Sequence, residues 1–292
     1  MIKNTNNGTL QPPALRIDIN YGTCEDLPNF SVGPKGSDAE KHVAIAKAGF
    51  EGIQDGHVDL CQKLGLKITA HARVNHVGDL DVLLPVWKEK KYDCATVHLG
   101  WGMESDVEID TLVQYIINCS ATYDIPIYIE THRATITQDM QRTVELIKRF
   151  PEVRFNADFS HWYTGQEMVY GGIENKWNFI QPVFDRVRFI HARIGNPGAI
   201  QVNVNALENK DYVSHFKQMW KRSFSGFLKS ANPGDYICFT VELLKSEIYY
   251  QPTMLSDKGL EEEIGDRWQQ ALLYKEIATA CWQQAQNEFQ SN

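Results

Sequence analysis

Short apolar runs alternate with amphipathic stretches from residue 14 to the end of the chain. Buried strands of a parallel sheet read as short apolar runs, whereas the connecting helices carry an apolar face with a period near 3.6 residues. Alternation of the two patterns is typical of repeated βα units around a parallel sheet. Eight runs fit the strand pattern, and they begin at Ala14, Gly49, Leu66, Asp93, Ile125, Val153, Val187 and Tyr236.

The segments between these runs have helical spacing, and several begin with a residue suited to capping a helix, such as Ser37 and Ser105. Eight βα units fit a (β/α)8 TIM barrel, which usually has about 250 residues. The sequence therefore predicts an α/β fold, a TIM barrel, with a single domain over residues 14–292. Irregular loops are expected after the seventh and eighth strands, at 195–210 and 245–265.

The first thirteen residues, MIKNTNNGTLQPP, are polar and end in two prolines. This composition predicts a disordered tail over residues 1–13, without the apolar stretch of a signal peptide. The sequence also lacks a run of about 18 apolar residues, so no membrane span is predicted. The six cysteines are widely scattered without a CxxC pair, which favours reduced, mostly buried thiols. These features lead us to expect a cytoplasmic protein.

The overall composition is that of a globular chain, with 43% hydrophobic and 23% charged residues among 292. The formal net charge is −8. Binding to a phosphate backbone depends on clustered Lys and Arg, so a nucleic-acid partner is disfavoured.

Four successive strands each end in a side chain that can bind a metal: Glu130, Asp158, His191 and Glu242. Ionised groups seldom lie at the ends of buried strands unless they are paired or bound to a cation, because desolvation costs several kcal/mol or more. In a barrel the carboxyl ends of strands five to eight are neighbours at one rim. A salt bridge or a rim charge would explain any one of these residues equally well. Together they favour one divalent metal ion.

Three carboxylates and one imidazole form a mostly oxygen-rich ligand set, which suits Mn²⁺, Mg²⁺ or Co²⁺ and does not exclude Zn²⁺. Other polar residues lie beside the four ligands. His161 and Arg193 are candidates for substrate binding, with an orienting role for Asp158 or His191 as the alternative.

His71 and His98 end strands three and four and are further substrate-binding candidates, although interior hydrogen-bonded histidines are as consistent with their positions. His132 and Arg133 follow Glu130 and are assigned no catalytic role. Trp101 and Trp162 could form an apolar wall against a sugar, but both are interpreted as packing residues.

Four segments, YIETHR, NADFSHW, FIHARIG and FTVELL, together resemble the xylose-isomerase-like barrel superfamily of sugar isomerases and epimerases. More closely, ETHR, ADFSHW and HARIG resemble a bacterial subgroup described as sugar phosphate isomerases or epimerases. The resemblance covers nearly the whole chain. It implies metal ligation by Glu130, Asp158, His191 and Glu242, and substrate contact by His161 and Arg193.

The sequence departs from this family at two points. Epimerases of this type usually carry a glutamate at the end of strand two, where this chain has Gln54 followed by Asp55. A phosphate cradle of the GxxxxGK type is also missing, and the GNPG segment from Gly195 is only a weak substitute. The sequence therefore gives no support for a phosphorylated substrate.

Our hypothesis is metal-dependent epimerisation or isomerisation of a keto-sugar in carbohydrate metabolism. The metal would stabilise an enediolate while Glu130 and Glu242 act as acid and base. Dehydration of a keto-sugar or keto-polyol by a lyase is the first alternative, and a non-catalytic sugar-binding barrel is the second. The resemblance also allows a homo-oligomer. A relative of the AP endonucleases is disfavoured by the negative charge.

Overall fold

The computed structural model describes residues 1–204 and 210–291. Within these ranges, nine strands form one sheet and two more form a separate hairpin. The strands are β1 (Thr5–Asn6), β2 (Ala14–Asn20), β3 (Gly52–Gln54), β4 (Lys67–Val74), β5 (Cys94–Leu99), β6 (Ile127–Glu130), β7 (Phe155–Ala157), β8 (Val187–Ala192), β9 (Asp235–Val241), β10 (Thr253–Leu255) and β11 (Glu261–Glu263).

Strands β2 to β9 are parallel, and each pairs with the next along the chain. Pairing of β9 with β2, from Ala14 opposite Tyr236 to Ile19 opposite Val241, closes the barrel. All eight carboxyl ends therefore lie at one rim. This architecture confirms the predicted (β/α)8 TIM barrel.

Helices connect the strands on the outside of the barrel. Several begin where a side chain satisfies free backbone N–H groups. Ser37 and Glu40 form a capping box at the start of α1, and Ser105 and Glu108 form another at α4. The helices are α1 (Asp38–Lys47), α2 (Val58–Leu64), α3 (Leu83–Glu89), α4 (Asp106–Tyr123), α5 (Met140–Arg149), α6 (Ser160–Gly165), α7 (Ile173–Phe179), α8 (Gln181–Phe184), α9 (Asp211–Leu228) and α10 (Arg267–Ser291).

The core lies within the barrel wall and between that wall and the helices. Side chains from neighbouring strands, such as Phe189 and Phe239, are fully buried. The long α9 and α10 pack against this side of the barrel, where the Trp220 ring lies 5.0 Å from that of Phe239 and 5.9 Å from that of Tyr274. All six cysteines, which lie in the described ranges, are free and buried, as predicted.

The structure corrects the prediction of a disordered tail over residues 1–13. Thr5–Asn6 form β1, which pairs antiparallel with the first residues of β9, Asp235 and Tyr236. Ile2 is buried, and its backbone N–H donates to the Glu152 carbonyl. The polar composition concealed this order because backbone hydrogen bonds to a strand do not require apolar side chains.

Both predicted loops follow their strands. The first contains no helix or strand over 195–204, and residues 205–209 lie outside the described part of the chain. The second, over 245–265, contains a short 3-10 helix, Ser246–Ile248, and the antiparallel hairpin of β10 and β11. None of the helices in the described ranges has the length and apolar character needed to cross a membrane.

Candidate active site

The four predicted metal ligands lie at the carboxyl ends of consecutive strands. Glu130 is the last residue of β6, Asp158 directly follows β7, His191 is the penultimate residue of β8, and Glu242 directly follows β9. Glu130, Asp158 and His191 are almost completely buried, and the Glu242 side chain is 12% exposed. Glu242 is therefore the member of the set that faces the mouth of the barrel most openly.

Glu130, His191 and Glu242 converge on one point. His191 Nδ1 lies 3.1 Å from Glu130 Oε2 and 3.5 Å from Glu242 Oε2. One ligand atom from each of the three residues lies within 4.8 Å of the others, which is a spacing that a bound metal ion requires. His191 Nδ1 is buried, and no residue in the described ranges is aligned to hydrogen-bond with it.

The orientation of His191 is fixed by Gln54 from the opposite side of the barrel. His191 Nε2 lies 2.6 Å from Gln54 Oε1, while Gln54 Nε2 donates to Thr96 Oγ1 at 3.0 Å. This amide orientation makes Gln54 Oε1 an acceptor, so that His191 Nε2 carries the proton and donates it. The lone pair of the neutral ring is then on Nδ1, toward the two glutamates. Metal-binding histidines are commonly held by such a partner.

The pKa values of His191 and Glu130 reflect the charged groups packed around them. Burial lowers the pKa of His191, but Glu242 and Glu130 outweigh it and raise the pKa to about 9. Burial raises the pKa of Glu130, but His191 and His98 outweigh it and hold this pKa well below the usual value. Glu130 is therefore a carboxylate at neutral pH. Without a metal, His191 binds a proton that a cation would displace.

Asp158 belongs to a neighbouring set of contacts rather than to this three-residue group. Its Oδ2 accepts a hydrogen bond from Arg193 at 2.9 Å and lies 3.4 Å from His161 Nε2. Its Oδ1 accepts a hydrogen bond from the Ser160 backbone N–H at 3.0 Å. Burial raises the pKa of Asp158, but Arg193 and His161 outweigh it and lower the pKa.

Arg193 joins the two sets of contacts. Its guanidinium pairs with both Asp158 and Glu242, and the Tyr250 ring covers it at 4.4 Å. Arg193 is 1% exposed, so its charge faces the two carboxylates and not open solvent. Arg193 therefore supplies positive charge that Asp158 and Glu242 require.

Four histidines line the remaining side of the site as a continuous row: His71, His98, His132 and His161. Adjacent ring centroids along this row are 4.4, 3.9 and 3.8 Å apart. Burial, followed by repulsion from a neighbouring imidazole, lowers the pKa of His71 to about 3 and that of His132 to about 2. Both rings are neutral at physiological pH and can offer lone pairs to a ligand.

The fit of these residues to a divalent cation can be judged from their donor atoms. Carboxylate oxygens from Glu130 and Glu242 meet His191 Nδ1, the nitrogen from which a cation would displace a proton. A mixed set of oxygen and imidazole ligands suits Mn²⁺, Co²⁺ or Zn²⁺ and also accepts Mg²⁺. The residues therefore fit a metal centre. Arg193 donates to both Asp158 and Glu242, so a bound cation would share these carboxylates with Arg193 or displace it.

Three contributors to the site were not predicted from sequence. His132 was assigned no catalytic role but lies between His98 and His161 in the row. Asn156 donates to Glu130 Oε2 at 2.9 Å and accepts from the His191 backbone N–H at 3.0 Å. Tyr250 reaches Arg193 from the loop before the hairpin. Asn156 alone had a sequence signal, because a polar residue interrupts the apolar run of β7.

Trp101 and Trp162, the two tryptophans interpreted as packing residues, differ in environment. Trp162 is fully buried and donates from Nε1 to the Thr137 carbonyl at 2.8 Å, so it is a packing residue. Trp101 is 49% exposed and lies under the Arg73 guanidinium at 4.4 Å, which corrects its interpretation as a packing residue. A loop glycine on each side, Gly100 and Gly102, places it at the surface.

Solved structures show the same fold. The chain superimposes on a D-tagatose 3-epimerase-like protein with a TM-score of 0.56 and 13% identity, covering 94% of this chain and 100% of that one. A xylose isomerase-like TIM barrel protein from Mycobacterium smegmatis, in complex with magnesium, gives a TM-score of 0.56 and 12% identity, with coverages of 92% and 97%. These matches show that the chain shares the barrel fold of these two proteins.

A third structure is a probable 3-DHS dehydratase from Bacillus anthracis, involved in petrobactin synthesis. It matches with a TM-score of 0.53 and 13% identity, covering 80% of this chain and 94% of that one. No protein-family model matches the chain, and no curated protein matches it significantly. At these identities the structural likeness establishes the fold alone.

Proposed function

We propose that this protein is a divalent-metal-dependent enzyme that isomerises or epimerises a keto-sugar. The observation that carries the proposal is the convergence of Glu130, His191 and Glu242 ligand atoms within 4.8 Å of one another at the carboxyl-end rim. In TIM-barrel enzymes this rim is where active sites are found. The fold shared with a D-tagatose 3-epimerase-like protein adds support.

Glu130, His191 and Glu242 would hold the metal, with Asp158 as the fourth ligand. A bound divalent cation would supply Lewis-acid polarisation of a substrate carbonyl, which makes the neighbouring carbon more acidic. Gln54 would keep the His191 Nδ1 lone pair directed at this position through the Nε2 contact.

The two glutamates would move the proton. Glu130 is a carboxylate with a lowered pKa and can accept a proton, while Glu242 lies at the more open side of the site. A proton taken by one and returned by the other to the same carbon gives an epimer. Return to the neighbouring carbon gives aldose–ketose isomerisation.

Substrate oxygens would be held by Arg193 and His161. Arg193 offers planar guanidinium donors. His161 is buried, and both of its ring nitrogens are without an aligned hydrogen-bond partner among the described residues, so a ligand can engage them. The small sugar expected as substrate would provide such oxygens. Substrate contact by His71 and His98 stays a prediction.

Dehydration is the second candidate, because one protein with the same fold is a probable dehydratase. It begins with the same removal of a proton next to a carbonyl. The two reactions differ in whether a hydroxyl group then leaves, so that one assay can separate them.

Proton exchange tests the proposal. Mn²⁺-loaded protein is incubated in D₂O with free and phosphorylated keto-sugars, and NMR follows deuterium incorporation and loss of water. We expect exchange at a carbon next to the carbonyl, abolished in Glu242→Gln and retained in Glu247→Gln, which alters an exposed glutamate nearby. Metal binding without exchange or dehydration of any sugar would contradict the proposal and favour a binding role.

A further inference from the structure

The two oxygens of the Glu130 carboxylate face different groups of ligand atoms. Oε2 lies 3.1 Å from His191 Nδ1 and accepts a hydrogen bond from Asn156 at 2.9 Å. Oε1 points the other way and lies 3.2 Å from His98 Nε2. A carboxylate with ligand atoms on both sides can bridge two cations, one on each oxygen.

His71 completes the group on the Oε1 side. It lies on β4, next to β5 and His98, and the two imidazole centroids are 4.4 Å apart. Its Nε2 is buried and has no hydrogen-bond partner within the described ranges. Ligand atoms from His71, His98 and Glu130 lie within 4.8 Å of one another. A buried imidazole nitrogen without a partner is an expensive arrangement that a cation would relieve.

A second group around Glu130, with His132 and His161, also has the spacing of a metal site. The proposed function assigns His161 of this group to substrate oxygens, and its Nε2 also lies 3.4 Å from Asp158 Oδ2. His132 Nδ1 contacts the Arg133 carbonyl. The group with His71 and His98 is therefore the better candidate.

We propose that the protein binds a second divalent cation through His71, His98 and Glu130 Oε1, with Glu130 bridging it to the ion of the proposed function. Two imidazoles and one carboxylate oxygen favour Zn²⁺, Co²⁺ or Mn²⁺ over Mg²⁺. The inference rests on the first ion site, because Glu130 is common to both. It replaces direct substrate contact by His71 and His98 with metal ligation.

Metal stoichiometry provides the test. The full-length protein is freed of metal with a chelator, dialysed, and titrated with Mn²⁺ by calorimetry. We expect two equivalents for the wild type and one for His71→Asn and for His98→Gln, with the remaining affinity within about threefold of the wild-type first site. His76→Asn, which alters a histidine 81% exposed at its side chain, should still bind two.

Spectroscopy provides a second readout that does not depend on catalysis. At two equivalents of Mn²⁺, low-temperature EPR should show a spin-coupled pair in the wild type. The six-line signal of an isolated ion should return in His71→Asn. Far-UV circular dichroism of both histidine variants checks that they are folded, and the milder His98→Gln change keeps the test decisive if His71→Asn unfolds.

The possible failures can be told apart. One equivalent in the wild type, lost in Glu242→Gln but kept in His71→Asn, would overturn the second site and leave the proposed function standing. In that case a raised KM in His71→Asn would support substrate contact instead. Two equivalents in both histidine variants would overturn the ligand assignment. No bound Mn²⁺ in the wild type would overturn both proposals.

Discussion

The carboxyl-end rim of the barrel has two chemically different halves. Strands β6, β7 and β9 end in carboxylates, at Glu130, Asp158 and Glu242, and β8 carries a histidine with a raised pKa. Strands β2 to β5 carry Asn20, Gln54, His71 and His98 at or near their ends. One half therefore supplies mostly carboxylates, while the other supplies mostly amide and imidazole groups.

A contact between Gln54 and His191 joins the two halves. Gln54 accepts a hydrogen bond from Asn20 at 3.1 Å and contacts His191 at 2.6 Å across the barrel. The position where epimerases usually carry a glutamate thus holds an amide that orients His191. The uncharged amide of Gln54 can hold His191 in position without adding more repulsion between carboxylates.

Removing one of the carboxylates at the rim should have the largest effect on activity. Glu130→Gln removes a proposed metal ligand and proton acceptor, and we expect kcat to fall by about 10²- to 10⁴-fold. The assay uses the sugar identified by deuterium exchange. Glu145→Gln, which changes an exposed glutamate on α5, should keep wild-type activity. A loss of less than tenfold in Glu130→Gln would mean that this carboxylate does not carry the proton.

Removing the internal cation should destabilise the metal-free protein. Arg193→Met leaves Asp158 and Glu242 without their partner, which should cost about 3–5 kcal/mol in the free energy of unfolding, measured with urea in EDTA. Saturating Mn²⁺ should restore part of this loss. Arg149→Met breaks a partly exposed pair with Asp110 and should cost at most about 1 kcal/mol. Equal stability of the two variants would refute the role assigned to Arg193.

Changing Gln54 should weaken metal binding without removing a proposed metal ligand. Gln54→Ala leaves His191 Nε2 without its acceptor, and we expect Mn²⁺ affinity to fall by about 10- to 100-fold in calorimetry. Gln54→Glu keeps an acceptor at this position and should bind at least as tightly as the wild type. Gln62→Ala, on the exposed side of α2, is the control. Wild-type affinity in Gln54→Ala would show that His191 is oriented by other contacts.

Changing Asn20, which supports Gln54, should have the smallest effect. Asn20→Ala removes one hydrogen bond to Gln54, and another to the Gly22 backbone N–H. We expect a loss of about 1–2 kcal/mol in the free energy of unfolding and a less than tenfold change in Mn²⁺ affinity. Asn118→Ala on the exposed side of α4 should change neither quantity. If Asn20→Ala weakened binding as much as Gln54→Ala, the two amides would act as one unit.

The sequence was informative where position along a strand decides position in space. Each apolar run predicted a strand, and in a parallel barrel the end of a strand is a defined place on the rim. That is why Glu130, His191 and Glu242 could be expected to meet. The same reasoning placed His71 and His98 beside them, although it could not distinguish their roles.

The sequence was uninformative where side-chain direction decides the contact. Arg193 was expected to contact a substrate, but the pairing of its guanidinium with both Asp158 and Glu242 had no sequence signal. His132 follows the end of β6, and the loop path that brings its ring between His98 and His161 has no periodic signature. Tyr250 comes from an irregular loop, and its approach to Arg193 depends on the hairpin that follows.

The pairing of β9 separates the position of Glu242 from the sequence of the loop that follows. The strand is hydrogen-bonded to β2 and β8 along its length and to β1 at its beginning, so its backbone is held by three neighbours. Glu242 directly follows it, and its backbone N–H donates to the Ala192 carbonyl at 3.2 Å. The position of Glu242 is thus set by the sheet and not by the loop that follows it. Apart from Tyr250, which covers Arg193, the segment from residue 245 to 265 can therefore vary in sequence and length while the carboxylate stays in place.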